Sequence, residues 1–177
     1  MIVEETILRE IFLQLPDYVA DTSKPELAKT IRYEWGSQPD LIKWLKTIEG
    51  NKYPLVWLEN GKSKNDRQKH TSEKKCRLIL ANLSEKQNNR NPSIWDDDFV
   101  KCLNPLLDNV LKSLERSGVT TILNTFDVYR DANYTEEDLN KATDFWNVIV
   151  LDIDILFKEK ANGEPLCINS NIFKNGK

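Results

Sequence analysis

Residues 146–157 read WNVIVLDIDILF, and this run decides the fold. Successive residues of a strand point to opposite faces, so Ile149, Leu151, Ile153, Ile155 and Phe157 share one face with no polar interruption. The other face carries Val148, Val150, Asp152, Asp154 and Leu156. A strand that is wholly apolar on one side and mixed on the other predicts a sheet that packs its apolar side on helices.

Two further strands are legible upstream. Tyr53–Leu58 (YPLVWL) is rich in β-formers and bounded by turn residues, with Pro54 at its start, where a missing N–H does least harm. Cys76–Leu83 (CRLILANL) is the second. The polar run between them, Glu59–Lys75 (ENGKSKNDRQKHTSEKK), has no periodicity. It is expected as the loop at the tip of a long antiparallel hairpin, and loops of that length in a compact domain usually carry function. After Gly118, VTTILNTFDVYR predicts one or two more strand segments, and Thr135 suits the cap of a short helical turn.

Helical spacing appears in three places. Ile7, Leu8, Ile11, Phe12 and Leu15 line one face of a helix over 2–15 that Pro16 ends. Ser23 and Glu26 have capping-box spacing, while IRYEW after them reads equally as helix or strand. Ser37 and Pro39 open a helix whose apolar face is Leu41, Ile42, Trp44, Leu45 and Ile48, stopped by Gly50-Asn51. The strongest helix starts at Asp96-Asp97-Asp98, where acids favour the helix dipole, with Trp95 placed as a staple before it. It runs through Phe99, Leu103, Leu106, Leu107, Val110, Leu111 and Leu114 to Gly118, and Pro105 should kink or split it. Trp44 and Trp57 are expected to pack together.

The order helices, strand, strand, long helix, strands predicts an α+β fold: a mostly antiparallel sheet with a long hairpin and helices packed on one face. One domain over 1–157 suits the length, with 158–177 (KEKANGEPLCINSNIFKNGK) as an extended C-terminal tail that needs a partner to become ordered.

Composition narrows the function. The 177 residues are 40% apolar and 30% charged, and no stretch reaches the ~18 to 20 apolar residues of a membrane span. The acidic N-terminus does not read as a signal peptide, so synthesis and use in a cytoplasm are expected. Cys76, Cys102 and Cys167 are odd in number and form no CxxC pair; buried, inert thiols are expected, with neither disulfides nor zinc. His70 is the sole histidine and lies in the polar run.

Asp152-x-Asp154 is the most suggestive chemical pair. Two carboxylates on one strand face could grip a divalent cation, with Asp127 and Asp131 as additional ligands, giving a metal-dependent phosphoesterase or nuclease. No phosphate loop, catalytic His or strand-end acid motif accompanies them, so solvent-facing acids of a one-sided sheet are the favoured reading. No enzyme, metal or cofactor is expected.

Charge suits assembly, and equally a solvated basic loop beside a solvated acidic helix face. Net charge is −3, yet residues 60–90 hold nine Lys or Arg against three acids, while 96–164 hold fifteen acids against seven bases. Oppositely charged surfaces suit contacts between neighbouring subunits. The candidate contact residues are Lys62, Lys64, Arg67, Lys69, Lys74 and Lys75 on one side and Asp96, Asp97 and Asp98 on the other. Clustered bases also invite nucleic acid, but no aromatic residue is interleaved with them.

Three stretches together, IRYEWGSQPDLIKWLKTIEGNKYPLVWLEN, CRLILAN…IWDDDFVKCLNPLLDNVLKSLERSG and Asn133-Tyr134 followed by ATDFWNVIVLDIDILF, resemble in order and pattern the tail-terminator or tail-completion type of bacteriophage neck protein. Ring proteins of crAss-like phages, which infect gut Bacteroidetes, are included in that likeness, which covers roughly residues 30–157. The resemblance implies a homo-oligomeric ring, six- or twelve-fold, in the neck of the virion. Such a ring joins the portal and head to the tail and meets other neck rings. DNA passes through its lumen without sequence-specific binding, and no membrane is involved. It also implies that the long hairpin, here Glu59–Lys75, contacts a neighbouring subunit or ring. The basic character of that hairpin and the C-terminal tail match no fixed pattern of the family, and a small cytoplasmic adaptor unrelated to phage is the further alternative.

Overall fold

A computed structural model describes residues 3–19, 28–83, 95–134, 146–158 and 167–173. The α+β class and the mostly antiparallel sheet are as expected. Helix α1 (Glu4–Phe12) leads to β1 (Arg32–Gly36), α2 (Gln38–Thr47) and β2 (Leu55–Glu59). Strands β3 (Ser63–Asp66) and β4 (Thr71–Leu83) follow. A π-helical segment, Trp95–Leu103, runs into α3 (Asn104–Arg116), and β5 (Thr120–Tyr134) and β6 (Trp146–Lys158) close the sheet. The strand order is β1-β2-β4-β6-β5, with β3 beside β4. IRYEW resolves as β1, the one strand laid parallel to its neighbour, joined to β2 through α2. The positions proposed to cap a turn, Ser23 with Glu26 and Thr135, lie outside the described residues.

The centre of the sheet is the β4–β6 ladder, in unbroken register from Thr71↔Lys158 to Leu83↔Trp146. Its alternation divides the interior in two. On one face Leu78, Leu80, Ile149, Leu151, Ile153, Ile155 and Phe157 join Leu8, Ile11 and Phe12 of α1 and the stripe Phe99, Leu103, Leu106, Val110 and Leu114. The opposite face buries Trp57, Ile79, Val148 and Val150 under Leu41 and Leu45 of α2. The expected single helical layer is therefore corrected to two unequal ones. The reason lies in β2, where Leu55 and Trp57 alternate with Val56 and Leu58, so both faces of its end of the sheet are apolar and both need cover. Trp44 and Trp57 meet with ring centroids 6.3 Å apart, as expected.

Local chemistry explains the helix boundaries. Asp40 Oδ2 accepts from the Ser37 N–H at 2.8 Å and from the Ser37 hydroxyl at 2.5 Å, tying down the start of α2. Pro105 splits the long helix as anticipated: it cannot donate to the carbonyl four residues back, and regular α geometry starts only at Asn104, after the wider turns of Trp95–Leu103. Trp95 stacks on Phe99 at 4.3 Å.

Two expectations are corrected. Glu59–Lys75 is largely strand, not loop: β3 folds back on β4, and only Arg67–His70 forms the turn. Its polarity without periodicity hid an edge strand whose outer side faces water. Against β4, Leu58 pairs with Leu78 and Ser63 with Lys74, so four residues on one side face three on the other. This one-residue bulge changes which face each side chain takes and sends Lys64 to the α2 face, away from α1. Gly61 is required there, since a Cβ would lie 2.8 Å from the Lys75 carbonyl oxygen.

The C-terminal segment is also not a free tail over its described part. Asn169 donates from its backbone N–H to the Ser117 carbonyl at 3.0 Å and from its side chain to that of Arg116 at 3.2 Å, satisfying carbonyls at the end of α3. Ile172 is buried in the main core, with Ile168 and Phe173 packed beside it. The run of polar residues around these apolar anchors masked them in sequence.

Where α1 meets the lower end of β4, Glu4 is buried and Glu5 half-buried. Ser72 Oγ donates to Glu4 at 2.5 Å, and the ammonium of Lys74, 1% exposed, donates to Glu5. Burial pushes the Glu5 carboxyl up, but the Lys74 hydrogen bond, a backbone hydrogen bond and the Lys74 charge together outweigh it and hold it below the ordinary carboxylate range. A depressed carboxyl contributes stability at neutral pH that is lost as pH falls through its folded value. Thermal melts should therefore show Tm decreasing in acid below the ordinary Glu range. Lys74→Ala should cost about 2–4 kcal/mol at pH 7 and flatten that acid limb. Gly61→Ala should lower Tm by forcing the bulge apart, with a cost of about 1–3 kcal/mol.

Candidate functional site

The residues singled out for contact sort into three groups. Lys62, Lys64, Arg67, Lys69 and Lys75 are exposed around the β3–β4 hairpin. Lys69 reaches Asp66 at 3.8 Å, a surface pair that contributes little. Lys74 is corrected from contact residue to interior residue: its even position in β4 shares the core face with Cys76 and Leu78, so it meets Glu5 and not a neighbour.

The acidic helix start divides as well. Asp96 and Asp97 are exposed, and Asp97 Oδ1 accepts from Lys101 Nζ at 2.6 Å, one turn on. Asp98 is corrected from surface contact to structural tie. It turns toward the sheet and accepts from Asn82 Nδ2 at 2.9 Å and from the buried Asn147 amide, binding the helix to β4 and β6 together. Asn82 stands at one end of β4 and the Arg67–His70 turn at the other. At ~3.3 Å per residue, the acidic helix start and the basic hairpin are about 36 Å apart.

Asp152 and Asp154 lie on the α2 face of β6, beyond the part α2 covers. Asp127 of β5 is directly opposite Asp152, whereas Asp131 is opposite Val148, four residues farther along the strand. Arg77, which the sequence reading did not single out, pairs with Asp152 in the ladder, its Nε 3.6 Å from Asp152 Oδ1 and 3.9 Å from Glu59 Oε2. Its signal was its position: two residues after Lys75 on the same strand, it shares the face of the aspartates. Lys75, Arg77, Thr125, Asp127, Asp152 and Asp154 line an open hollow of about 330 Å³. Its wall is mixed in sign, and among the described residues no group of three or more His, Cys, Asp or Glu is placed to hold a metal ion.

A second hollow, about 170 Å³, lies between the chain after α1 and the start of α3, walled by Pro16, Tyr18, Ile31, Cys102, Pro105 and Leu106. Burial pushes the Cys102 thiol up to about 12, and that of Cys76 likewise. Both are protonated at neutral pH and poor nucleophiles, in line with the expectation of inert thiols. Cys167 departs from it, being exposed.

No protein-family model matches the chain, and no curated protein matches it.

With a guanidinium already beside Asp152, a divalent cation would have to displace it to reach two carboxylates. Millimolar Mg²⁺ or Mn²⁺ should leave Tm unchanged to within about 1 °C, in the native chain and in Asp152→Asn alike. A metal-dependent rise that Asp152→Asn abolishes would restore the phosphoesterase reading.

Proposed function

We propose that this chain is a non-enzymatic structural subunit of a homo-oligomeric ring in a bacteriophage neck, joining the portal and head to the tail around the DNA channel. The observation that carries the reading is the separation of charge along the longest ladder of the sheet. Lys62, Lys64, Arg67 and Lys75 are exposed around one end, and Asp96 and Asp97 are exposed at the other. Opposite charge at opposite ends suits axial stacking, in which the basic hairpin end meets an acidic neighbour and the acidic helix start meets a basic one. The order of the three resembling stretches supplies the phage context. The folded hairpin supports the reading further, because β3 and its turn form a preorganised surface that loses little entropy on docking.

In this reading the exposed bases meet a neighbouring ring protein, and DNA passes without base-specific contacts. Antibody labelling of virions in negative stain tests the proposal: label should concentrate at the head–tail junction, and label elsewhere would overturn it. Removing the hairpin charges by Lys64→Ala with Arg67→Ala should leave the fold intact, because both side chains are exposed. The same change should weaken incorporation into virions and steepen its loss with added salt.

A further inference from the structure

The outermost strands of the sheet, β1 and β5, each have one neighbour among the described residues, β2 and β6. Hydrogen-bond direction shows which groups they leave open. The Arg32 N–H donates to the Pro54 carbonyl and the Gly36 carbonyl accepts from Asn60, so the even positions of β1 bond toward β2. Tyr33 and Trp35 therefore turn their N–H and C=O groups outward. At the other side of the sheet Lys158 donates to the Val119 carbonyl, which sets the even positions of β6 toward β5. Their partners Asp127, Tyr129 and Asp131 bond inward, and Val128 and Arg130 present their groups to the outside. Such unpaired rows template the addition of another chain.

We propose that β5 of one copy adds antiparallel to β1 of the next, with Asp131 opposite Arg32, so that the sheet continues from subunit to subunit. The proposal rests on the ring reading above and names the lateral contact within it.

Topology permits this continuation. β1 runs parallel to β2, and β2, β4, β6 and β5 alternate in direction, so β5 runs opposite to β1. A second copy laid alongside in the same orientation brings the two edges together antiparallel with their faces matched. The contact lies across the ladder whose charged ends serve axial stacking, and it uses none of the charges at those ends. Lengths agree as well: the five residues of β1 match Asp127–Asp131, which lies within the regular stretch between the two register shifts of β5. Past Gly36 the chain turns into α2 on one face. Before Arg32 it rises into the helical layer, where Tyr18, paired with Lys29, walls the same hollow as Cys102 and Pro105. Arg9 reaches across the edge from α1, in an exposed 3.4 Å pair with Glu34 that costs little to open.

Charge selects the register. Outward groups meet only in steps of two residues. With Asp131 opposite Arg32 on the α2 face, Glu34 meets Tyr129. Gly36 meets Asp127 at the start of α2, beside the capping Asp40, where the free N–H groups of a helix favour carboxylates. On the other face Arg130 stands opposite Tyr33 and Val128 opposite Trp35. A shift of two residues either way puts Glu34 against Asp131 or against Asp127, a destabilising pair of carboxylates. Within its own subunit Arg32 bonds the Asn51 carbonyl and Asp131 the Tyr129 hydroxyl, and neither has an ion pair among the described residues. Pairing β5 with a second β5 is disfavoured: a centre on Tyr129 sets Asp127 against Asp131 twice, one on Arg130 sets that arginine against itself, and one on Val128 runs into the bulge. The contact that remains for β5 is heterologous, the kind that closes rings.

Charge reversal in the full-length chain tests the contact, with self-association measured by sedimentation velocity across a concentration series. Arg32→Asp and Asp131→Arg should each weaken association about tenfold, and the double reversal should restore it. Neither side chain is buried, and far-UV circular dichroism and Tm check the fold. Arg130→Pro removes an outward N–H without touching the β6 ladder and should weaken association by about tenfold or more. Suppose the native chain associates and Asp131→Arg or Arg130→Pro leaves it unaffected, or the double reversal is as weak as the singles. The edge pairing is then overturned and the ring reading stands; loss with Arg32→Asp alone would mark β1 pairing with its own copy. A native chain that stays monomeric to about millimolar concentration overturns both.

Discussion

The unbroken β4–β6 ladder is the constraint on which the rest of the molecule depends. A one-residue slip of β6 would exchange its two faces, moving Ile149, Leu151 and Ile153 to the thinly covered side and Asp152 and Asp154 into the main core. Burying two carboxylates among leucines is far costlier than any compensating contact, so the register has one stable solution. Both helical layers, the placement of Asp98 between Asn82 and Asn147, and the approach of Lys74 to Glu5 follow from it.

Within that frame, one extra residue between β2 and β3 redirects the charges. Continued without a bulge, the β2 alternation would have turned Lys64 toward α1, where the buried Lys74 already occupies the position facing Glu5. The bulge at Gly61 sends it to the uncovered half of the α2 face, beside Lys75 and Arg77. Bases then run along β3 and β4 and acids along β6 and β5, on the same open surface. An antiparallel sheet with one solvated face tolerates such a pattern. What distinguishes this one is that Asp127 and Asp152 stand opposite each other with a single arginine between β4 and β6 to offset them.

Much of the fold was legible because it rests on periodicity. The β6 alternation, the stripe from Phe99 to Leu114, the effect of Pro105 and the Ser37 cap each follow from spacing alone. The contact residues were less legible. Lys74 and Asp98 look like their charged neighbours in sequence, and only their place on the ladder turns them inward. Arg77 was hidden for the opposite reason: its neighbours Cys76 and Leu78 made the segment read as interior, although its own alternation points it outward. The apolar anchors Ile168, Ile172 and Phe173 are too widely spaced among polar residues to signal burial.

By itself, the sequence determined the α+β class, the apolar face of β6 and the helix that Pro105 divides, because all of these depend on residues near one another in the chain. Only the tertiary structure decided which charges are exposed. It placed Lys74 against an acid 69 residues away, put Asp98 between two strands and gave Asp152, but among the described residues not Asp127, an arginine. Whether a charge is buried, neutralised or presented to a neighbour depends on strand pairing and register. These are long-range properties that local spacing does not encode.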